Sequence, residues 1–98
     1  MTRANPEFSI IIVTHNSSYY LVECMKALTT QRNKNFEVII VDNNSNEGLI
    51  NIDNFKSLKI KIIKLEKNFG FAAGNNIGAK RAIGKWLITL NPDAIPEE

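Results

Sequence analysis

Four short segments rich in β-branched and aromatic residues restrict the fold of this chain more than any other feature. They cover residues 8–13, 36–41, 59–65 and 86–90, and each is long enough for a strand but too short for a typical helix. The connections between them are long enough to cross over, as parallel strands require. We therefore predict an α/β fold with a doubly wound, mostly parallel sheet and flanking helices.

Two of the connections carry helical patterns of their own. In the first, Ser17 or Ser18 can cap a helix whose apolar residues recur at helical spacing. Those residues are Leu21, Cys24, Met25 and Leu28. In the second connection, Leu49, Ile52 and Phe55 predict a brief helical turn.

Composition limits the classes of protein to which the chain can belong. With 98 residues, of which 44% are hydrophobic and 22% charged, it fits one ordinary soluble domain. The net charge of +2 comes from scattered basic residues, which argues against a nucleic-acid partner. The densest basic group, Lys59, Lys61 and Lys64, alternates with isoleucine and predicts a solvated strand face. Cys24 is the only cysteine, which excludes an internal disulfide and is compatible with a reducing cytosol.

Further expectations concern location and completeness. The longest apolar stretch, Ile10–Val13, is far shorter than a membrane span, and no secretion signal precedes it. We expect a cytoplasmic protein, with attachment to the cytoplasmic face of a membrane left open. Because the chain stops at Glu98, soon after its fourth strand, we expect residues 1–98 to be one domain of a larger protein. The uncovered sheet edge of such a piece leaves pairing with a second copy open.

Polar residues follow three of the four strands at the points where the strands end. They are His15 and Asn16 after the first strand, residues 42–44 after the second, and Asn91 and Asp93 after the fourth. Because ligands bind at the carboxyl edge of an open α/β sheet, we expect these side chains to converge on one crevice. Such residues are favoured in any turn, so a structural role is the alternative for each cluster taken alone.

The chemistry of these side chains suits a nucleotide and a cation. Asp42 can accept a hydrogen bond from a ring N–H of a base, while Thr14 and Asn16 can hold other base or ribose groups. Asp93 offers a hard oxygen ligand to Mg²⁺ or Mn²⁺, which would neutralise a diphosphate leaving group. His15 has the chemistry of a general base, but hydrogen bonding or packing is the commoner role of such a residue.

A loop of small residues over positions 68–76 is predicted to line the same crevice. Gly70 and Gly74 would let the backbone approach a ligand closely, although the pattern is neither a dinucleotide fingerprint nor a P-loop. A flexible loop without a ligand is the alternative. The residues that follow predict a helix ended by Gly84. Its apolar positions are Ile77, Ala79, Ala82 and Ile83.

Four sequence motifs occur in order along the chain. They are I-I-I-V-T-H-N, V-I-I-V-D-N-N-S, N-F-G-F-A-A-G-N-N-I-G and W-L-I-T-L-N-P-D-A. Together they resemble the amino-terminal half of family 2 glycosyltransferases, over nearly the whole chain from Phe8 to Ala94. The pattern is most similar to the branch of rhamnosyltransferases and galactofuranosyltransferases. The resemblance implies a GT-A, Rossmann-like fold and a transferase that uses a nucleotide sugar.

The resemblance also implies positions for the nucleotide and the cation. The expected nucleotide-binding residues are Thr14, His15, Asn16, Asp42, Asn44, Asn68, Gly70, Gly74, Asn75 and Asn91. Residues 91–93 fall where the family has D-x-D, and here only Asp93 is acidic, so metal binding would depend mainly on it. Many relatives have an arginine before Asn75, where this chain has glycine, which removes one cationic contact. The family's catalytic base lies beyond the matched region, so we expect no catalytic residue in this chain.

The leading hypothesis is a donor module that binds a UDP- or dTDP-sugar with a divalent cation. It would serve inverting glycosyl transfer to a saccharide or lipid-linked acceptor in polysaccharide biosynthesis, and alone it would show little or no turnover. A non-catalytic nucleotide-binding or regulatory module of the same fold is the alternative. A receiver-like signalling domain is disfavoured, because it would need clustered acids after the first strand, where the chain has His15 and Asn16.

Overall fold

A computed structural model describes residues 5–46 and 52–90 of the chain. In these residues four strands alternate with helical connections. The elements are β1 (Phe8–Thr14), α1 (Ser18–Thr29), β2 (Phe36–Asp42), a short 3₁₀ helix (Ile52–Phe55), β3 (Lys59–Lys64), α2 (Phe71–Arg81) and β4 (Trp86–Leu90). All four predicted strands are confirmed, and so is the brief helical turn in the second connection, although its predicted first residue, Leu49, lies outside the described residues.

The four strands form one parallel sheet in the order β3-β2-β1-β4. β1 is central, and its Phe8 lies opposite Phe36 of β2 on one side and Trp86 of β4 on the other. The chain runs outward from β1 to β3 and then returns to the far side of β1 with β4, so the sheet is doubly wound. The strand order reverses beside β1, which favours a ligand crevice at the carboxyl ends of β1 and its neighbours.

Helices cover both faces of the sheet. On one face, α1 buries the four apolar residues that its spacing predicts, and they pack with alternate residues of β1 and β2. Those strand residues are Ile10, Ile12, Val38 and Ile40. On the other face α2 lies over Ile11, Val13, Ile39 and Val41. Because both faces are covered, every residue of β2 is buried, which explains its uninterrupted apolar run from Val38 to Val41.

Helix α2 begins earlier than the sequence pattern predicted. It starts at Phe71, so Gly74 and Asn75 lie within the helix rather than in a loop. It ends at Arg81, and Ile83, which was predicted to belong to its apolar side, is 49% exposed. The predicted loop is therefore only residues 68–70.

Close contact between α2 and the sheet explains this difference. Gly74 and Gly78 are the buried residues of α2. A β-carbon on Gly78 would lie 2.6 Å from Cγ2 of Ile11, and one on Gly74 would lie 2.7 Å from Cγ1 of Val13. Two glycines one turn apart let the helix lie directly on the strands, whereas small residues in a sequence are typical of a loop.

The two edges of the sheet differ in chemistry. β4 exposes Trp86, Leu87 and Ile88, whereas β3 carries lysines, which protect an edge from unwanted pairing. The three lysines of β3 are exposed, as predicted, but Lys64 lies on the opposite face of the strand from Lys59 and Lys61. Nζ of Lys61 also lies 2.9 Å from Oε1 of the buried Glu37. Within the described residues, no helix is long and apolar enough to cross a membrane.

Candidate functional site

The loops that follow β1 and β2 lie side by side at the carboxyl edge of the sheet. The N–H of Asn43 donates to the carbonyl of Thr14 at 2.8 Å. The N–H of Asn16 donates to Oγ of Ser45 at 2.9 Å, and the N–H of Asn46 donates to Oδ1 of Asn16 at 2.7 Å. Hydrogen bonds thus join two segments that are far apart in the sequence, as the convergence of strand ends predicted.

Asparagines shape these two loops through their backbone. Asn16 has φ of 50° and Asn44 has φ of 58°, both in the left-handed region that asparagine adopts more readily than most residues. Each reverses the chain directly after its strand. Asn16 and Asn44 therefore have a structural reason to be asparagine, in addition to any contact with a ligand.

The ring of His15 is oriented by the neighbouring loop. Its Nδ1 lies 2.7 Å from the carbonyl oxygen of Asn43. A carbonyl can only accept, so Nδ1 carries the hydrogen, and Nε2 of the neutral ring is left with a lone pair. Nε2 lies 3.4 Å from Nδ2 of Asn16. His15 is exposed, and it presents an acceptor nitrogen at the carboxyl edge.

Asp42 ends β2 and is completely buried. Its Oδ1 accepts hydrogen bonds from the backbone N–H of Ser45 at 3.2 Å and from the Ser45 hydroxyl. In the described part of the chain, its Oδ2 is buried and has no hydrogen-bond partner. A buried polar oxygen that lacks a donor costs about 1–3 kcal/mol. Such an oxygen at the carboxyl edge is a place where a ligand's donor would gain free energy.

Asn43 joins a third segment to the same edge. Its side chain is 2% exposed, its Nδ2 donates to the carbonyl of Gly70 at 3.0 Å, and its Oδ1 accepts from the N–H of Phe69 at 3.3 Å. Gly70 has φ of 91°, a conformation that favours glycine. Asn68 closes the turn by accepting the N–H of Gly70 on its Oδ1 at 2.8 Å.

The remaining predicted residues of α2 have different surroundings. Gly74 faces Val13 and lies near the amide of Asn43, so helix packing alone explains its lack of a side chain. Asn75 donates from Nδ2 to the carbonyl of Phe71 at 3.2 Å, and its Oδ1 is buried without a partner among the described residues. Asn75 is therefore the second side chain of the predicted set with an unused acceptor.

The predicted cation site falls where the structure gives no description. Asn91 and Asp93 lie outside the described residues. Across residues 5–46 and 52–90, no group of three or more His, Cys, Asp and Glu side chains could hold a metal ion. The involvement of Asp93 in metal binding stays a prediction.

A mostly apolar cavity of about 290 Å³ lies at the opposite, amino edge of the sheet. Its walls come from the ends of β1, β2 and α1 and from β4, and they carry no ionisable side chain. The lining residues are Phe8, Ile10, Leu28, Gln31, Asn33, Asn35, Phe36 and Ile88. This cavity therefore lacks the kind of buried ionisable group that Asp42 provides at the carboxyl edge.

Comparison with known protein families shows to which family this sequence belongs. The sequence model of Glycosyl transferase family 2 matches residues 9–98. The chain belongs to glycosyltransferase family 2. A relative in this family is an uncharacterized glycosyltransferase of Haemophilus influenzae, 36% identical over 85 residues. The match covers 87% of this chain and 29% of that protein, so the chain spans less than a third of the length of this relative.

Solved structures confirm the GT-A fold of this family 2 chain. S. aureus TarS 1-349 in complex with UDP-GlcNAc has a TM-score of 0.81 and 32% identity, over 89% of this chain and 26% of that one. The mannosyltransferase PcManGT from Pyrobaculum calidifontis, in complex with GDP-Man and Mn²⁺, has a TM-score of 0.85 and 20% identity. That second match covers 97% of this chain and 30% of the mannosyltransferase, and at this identity it speaks for the fold alone.

Sequence reasoning left Ser45 out of the converging residues, and it placed Asn43 at the carboxyl edge without assigning a contact to its side chain. Both belong to the D-N-N-S motif, whose composition predicts a turn but not the partner of each side chain. The left-handed backbone of Asn44 turns Ser45 back onto Asp42. The sequence could have pointed to these two residues only through their position in the motif. Their contacts with Asp42 and with residues 69–70 follow from the geometry of the turn.

Proposed function

We propose that the chain is the donor-binding part of a glycosyltransferase and holds a UDP- or dTDP-sugar at the carboxyl edge of its sheet. The observation that carries this proposal is Oδ2 of Asp42, buried there without a donor in the described part of the chain. Uracil and thymine each present a ring N–H that can donate to such an oxygen. TarS, which is 32% identical and has been crystallised with UDP and with UDP-GlcNAc, supports a uridine nucleotide.

Access to Asp42 requires movement of its neighbours. Its carboxylate is completely buried, so a base reaches Oδ2 only when the loop residues over it shift. In this proposal Ser45 keeps its contact with Oδ1, because its hydroxyl oxygen also accepts the N–H of Asn16.

The other residues of the proposed site surround Asp42 from the three joined segments. Nε2 of His15, which lies 3.4 Å from the amide nitrogen of Asn16, can accept a ribose hydroxyl in place of that amide. Thr14, Asn16 and Asn44 are proposed to contact base or ribose. The amino end of α2, which has no side-chain cap at Gly70, offers backbone N–H groups and a positive dipole to a diphosphate. Further contacts with the nucleotide are proposed for Asn68, Gly74, Asn75 and Asn91.

A divalent cation, Mg²⁺ or Mn²⁺, is part of this proposal. Asp93 would hold it together with diphosphate oxygens and waters, since such an ion often uses one or two protein carboxylates. When bound, the ion would stabilise negative charge on the diphosphate leaving group. The mannosyltransferase in complex with Mn²⁺ shares the fold, which is compatible with this role.

The full reaction is proposed to need more than these residues. Inverting transfer requires a base that deprotonates an acceptor hydroxyl, and we propose that this base and the saccharide or lipid-linked acceptor belong to a further part of the protein. The chain matches 29% of the length of its Haemophilus relative, which leaves room for such a part. The alternative, a non-catalytic module of the same fold, makes the same prediction for donor binding.

The test is calorimetric titration of the folded chain with UDP and with dTDP, in the presence and absence of Mn²⁺. Asp42→Ala should weaken binding about tenfold or more under both conditions, because a hydrogen bond to a charged group is lost. Asp93→Ala should remove only the part of the affinity that depends on metal. The control is Glu7→Ala, an exposed acid at the amino edge. Unchanged affinity in Asp42→Ala would sink the proposal.

A further inference from the structure

One of the two carboxylate oxygens of Asp42 is hydrogen-bonded to Ser45, a residue of the same loop. Its Oδ1 accepts both the backbone N–H of Ser45, at 3.2 Å, and the Ser45 hydroxyl. A carboxylate oxygen has about two lone-pair sites, so Oδ1 has no capacity left. Oδ2 has no partner in the described part of the chain. The carboxylate thus offers a ligand one oxygen instead of two.

Nucleobases differ in the number of donors that they present to a carboxylate. Uracil and thymine have one ring N–H, which lies between two carbonyl oxygens. Guanine has a ring N–H and an adjacent amino group, and this pair is matched by the two oxygens of a carboxylate. If Oδ1 is already filled, guanine leaves one of its donors unpaired, which lowers its affinity.

The contact between Ser45 and Asp42 is fixed by the neighbouring loop. The single hydroxyl hydrogen of Ser45 is donated to Asp42, and its Oγ accepts the N–H of Asn16 at 2.9 Å. The next residue, Asn46, is bonded to the Asn16 side chain at 2.7 Å. Ser45 therefore cannot turn away from Asp42 unless it also releases the loop after β1.

We propose that Ser45 is a specificity-determining residue, which favours uracil and thymine over guanine because it occupies Oδ1 of Asp42. This inference rests on the proposed function, since it takes Asp42 to be the residue that binds the base. It goes beyond that function by assigning the choice of base to a side chain that need not touch the base.

The experiment compares dissociation constants for UDP and GDP, measured by titration of the same folded protein. The wild type should bind UDP at least about tenfold more tightly than GDP. Ser45→Ala frees one lone pair of Oδ1, so the preference for UDP should fall several-fold. Ser45→Thr keeps the hydroxyl and should keep the preference. Ser17 lies at the same edge, but its hydroxyl donates to the carbonyl of His15 and not to Asp42. Ser17→Ala should therefore keep the preference for UDP.

Each outcome bears on a different claim. If the wild type binds UDP but Ser45→Ala has the same UDP-to-GDP ratio, the inference is overturned and the proposed donor site stands. A wild type without preference between UDP and GDP overturns it as well. If the folded wild type binds neither nucleotide, the proposed donor site is contradicted and this inference with it. Should Ser45→Ala not fold, Ser45→Cys, whose thiol is a weak donor, must lower the ratio in the same direction.

Discussion

Strand β2 carries a buried carboxylate near each of its ends, and the two differ in how fully they are paired. At the amino end, Oε2 of Glu37 accepts the Ser9 hydroxyl at 2.6 Å and the N–H of Ile83 at 2.8 Å. Its Oε1 lies 2.9 Å from Nζ of Lys61. At the carboxyl end, Asp42 has one oxygen without a partner. Full pairing indicates a structural role for Glu37, whereas the unused oxygen of Asp42 is the observation on which its proposed binding role rests.

The environment of Glu37 also sets its proton affinity. Burial by itself would raise the pKa of this carboxyl group. The hydrogen bonds from Ile83, Ser9 and Lys61, with the charge of Lys61, outweigh burial and hold the pKa below its ordinary value. A carboxyl whose pKa is lower in the folded state stabilises the fold above its unfolded pKa, and this contribution is lost as the pH falls through the folded pKa.

Glu37→Gln should therefore destabilise the protein in a manner that depends on pH. At pH 7 we expect the free energy of unfolding to fall by about 1–3 kcal/mol, because the neutral amide cannot pair with Lys61 and the Ser9 and Ile83 donors equally well. The gap to the wild type should narrow below about pH 4.3, the usual pKa of an unpaired glutamate. Urea unfolding at pH 7 and at acidic pH measures both effects.

The control for this prediction is Glu7→Gln, which changes an exposed carboxylate at the same edge of the sheet. Its stability should match the wild type at pH 7. A gap between Glu37→Gln and the wild type that stays constant with pH would show that the charge of Glu37 is not what stabilises the fold.

Single residues of the site were predictable only where a strand end fixes their place. Asp42 follows a continuous apolar run, so both its position and its chemistry could be deduced from the sequence. Ser45 and Asn43 were not distinguishable from ordinary turn residues, because their contacts depend on the left-handed backbone of Asn44. Glu37 was missed altogether, since its partners come from three other segments.

Among the secondary-structure elements, α2 is the one whose extent the sequence pattern predicted least well. Its two buried residues are Gly74 and Gly78, and a β-carbon on Gly78 would lie 2.6 Å from Cγ2 of Ile11 and 3.1 Å from Cγ2 of Val41. The strands β1 and β2 and the helix α1 were predictable because their buried side chains are large and recur at the period of the element. A helix that buries glycines has no such apolar stripe.

Gly78→Ala should destabilise the protein, although alanine is the better helix former by about 1 kcal/mol. The added methyl group has to displace Ile11 or lift α2 from the sheet, and overpacking of this kind costs about 1–3 kcal/mol. Asn76→Ala, at an exposed position of the same helix, is the matched control and should be neutral or slightly stabilising. A Gly78→Ala variant that unfolds at the same urea concentration as the wild type, or a higher one, would contradict the packing of α2.

At the scale of the whole molecule, the amino edge of the sheet contains structural contacts, and the carboxyl edge contains the proposed binding site. The amino edge contains the paired Glu37 network and a mostly apolar cavity. The carboxyl edge contains the loops joined through Asn43 and the unused oxygen of Asp42. The parallel topology predicted this division, because it places all strand ends of one kind together. The proposed cation site could not be placed in this way, since Asp93 lies outside the described residues.

The most direct test of the account is an NMR titration of ¹⁵N-labelled chain with UDP. Binding at the carboxyl edge predicts changes in amide chemical shift concentrated at residues 14–16, 42–45 and 68–70. The amides at the amino edge, at residues 35–37 and 83–85, should change little. Changes centred on the amino-edge cavity, or no change at all in a folded chain saturated with UDP, would contradict the assignment of the donor site to the carboxyl edge.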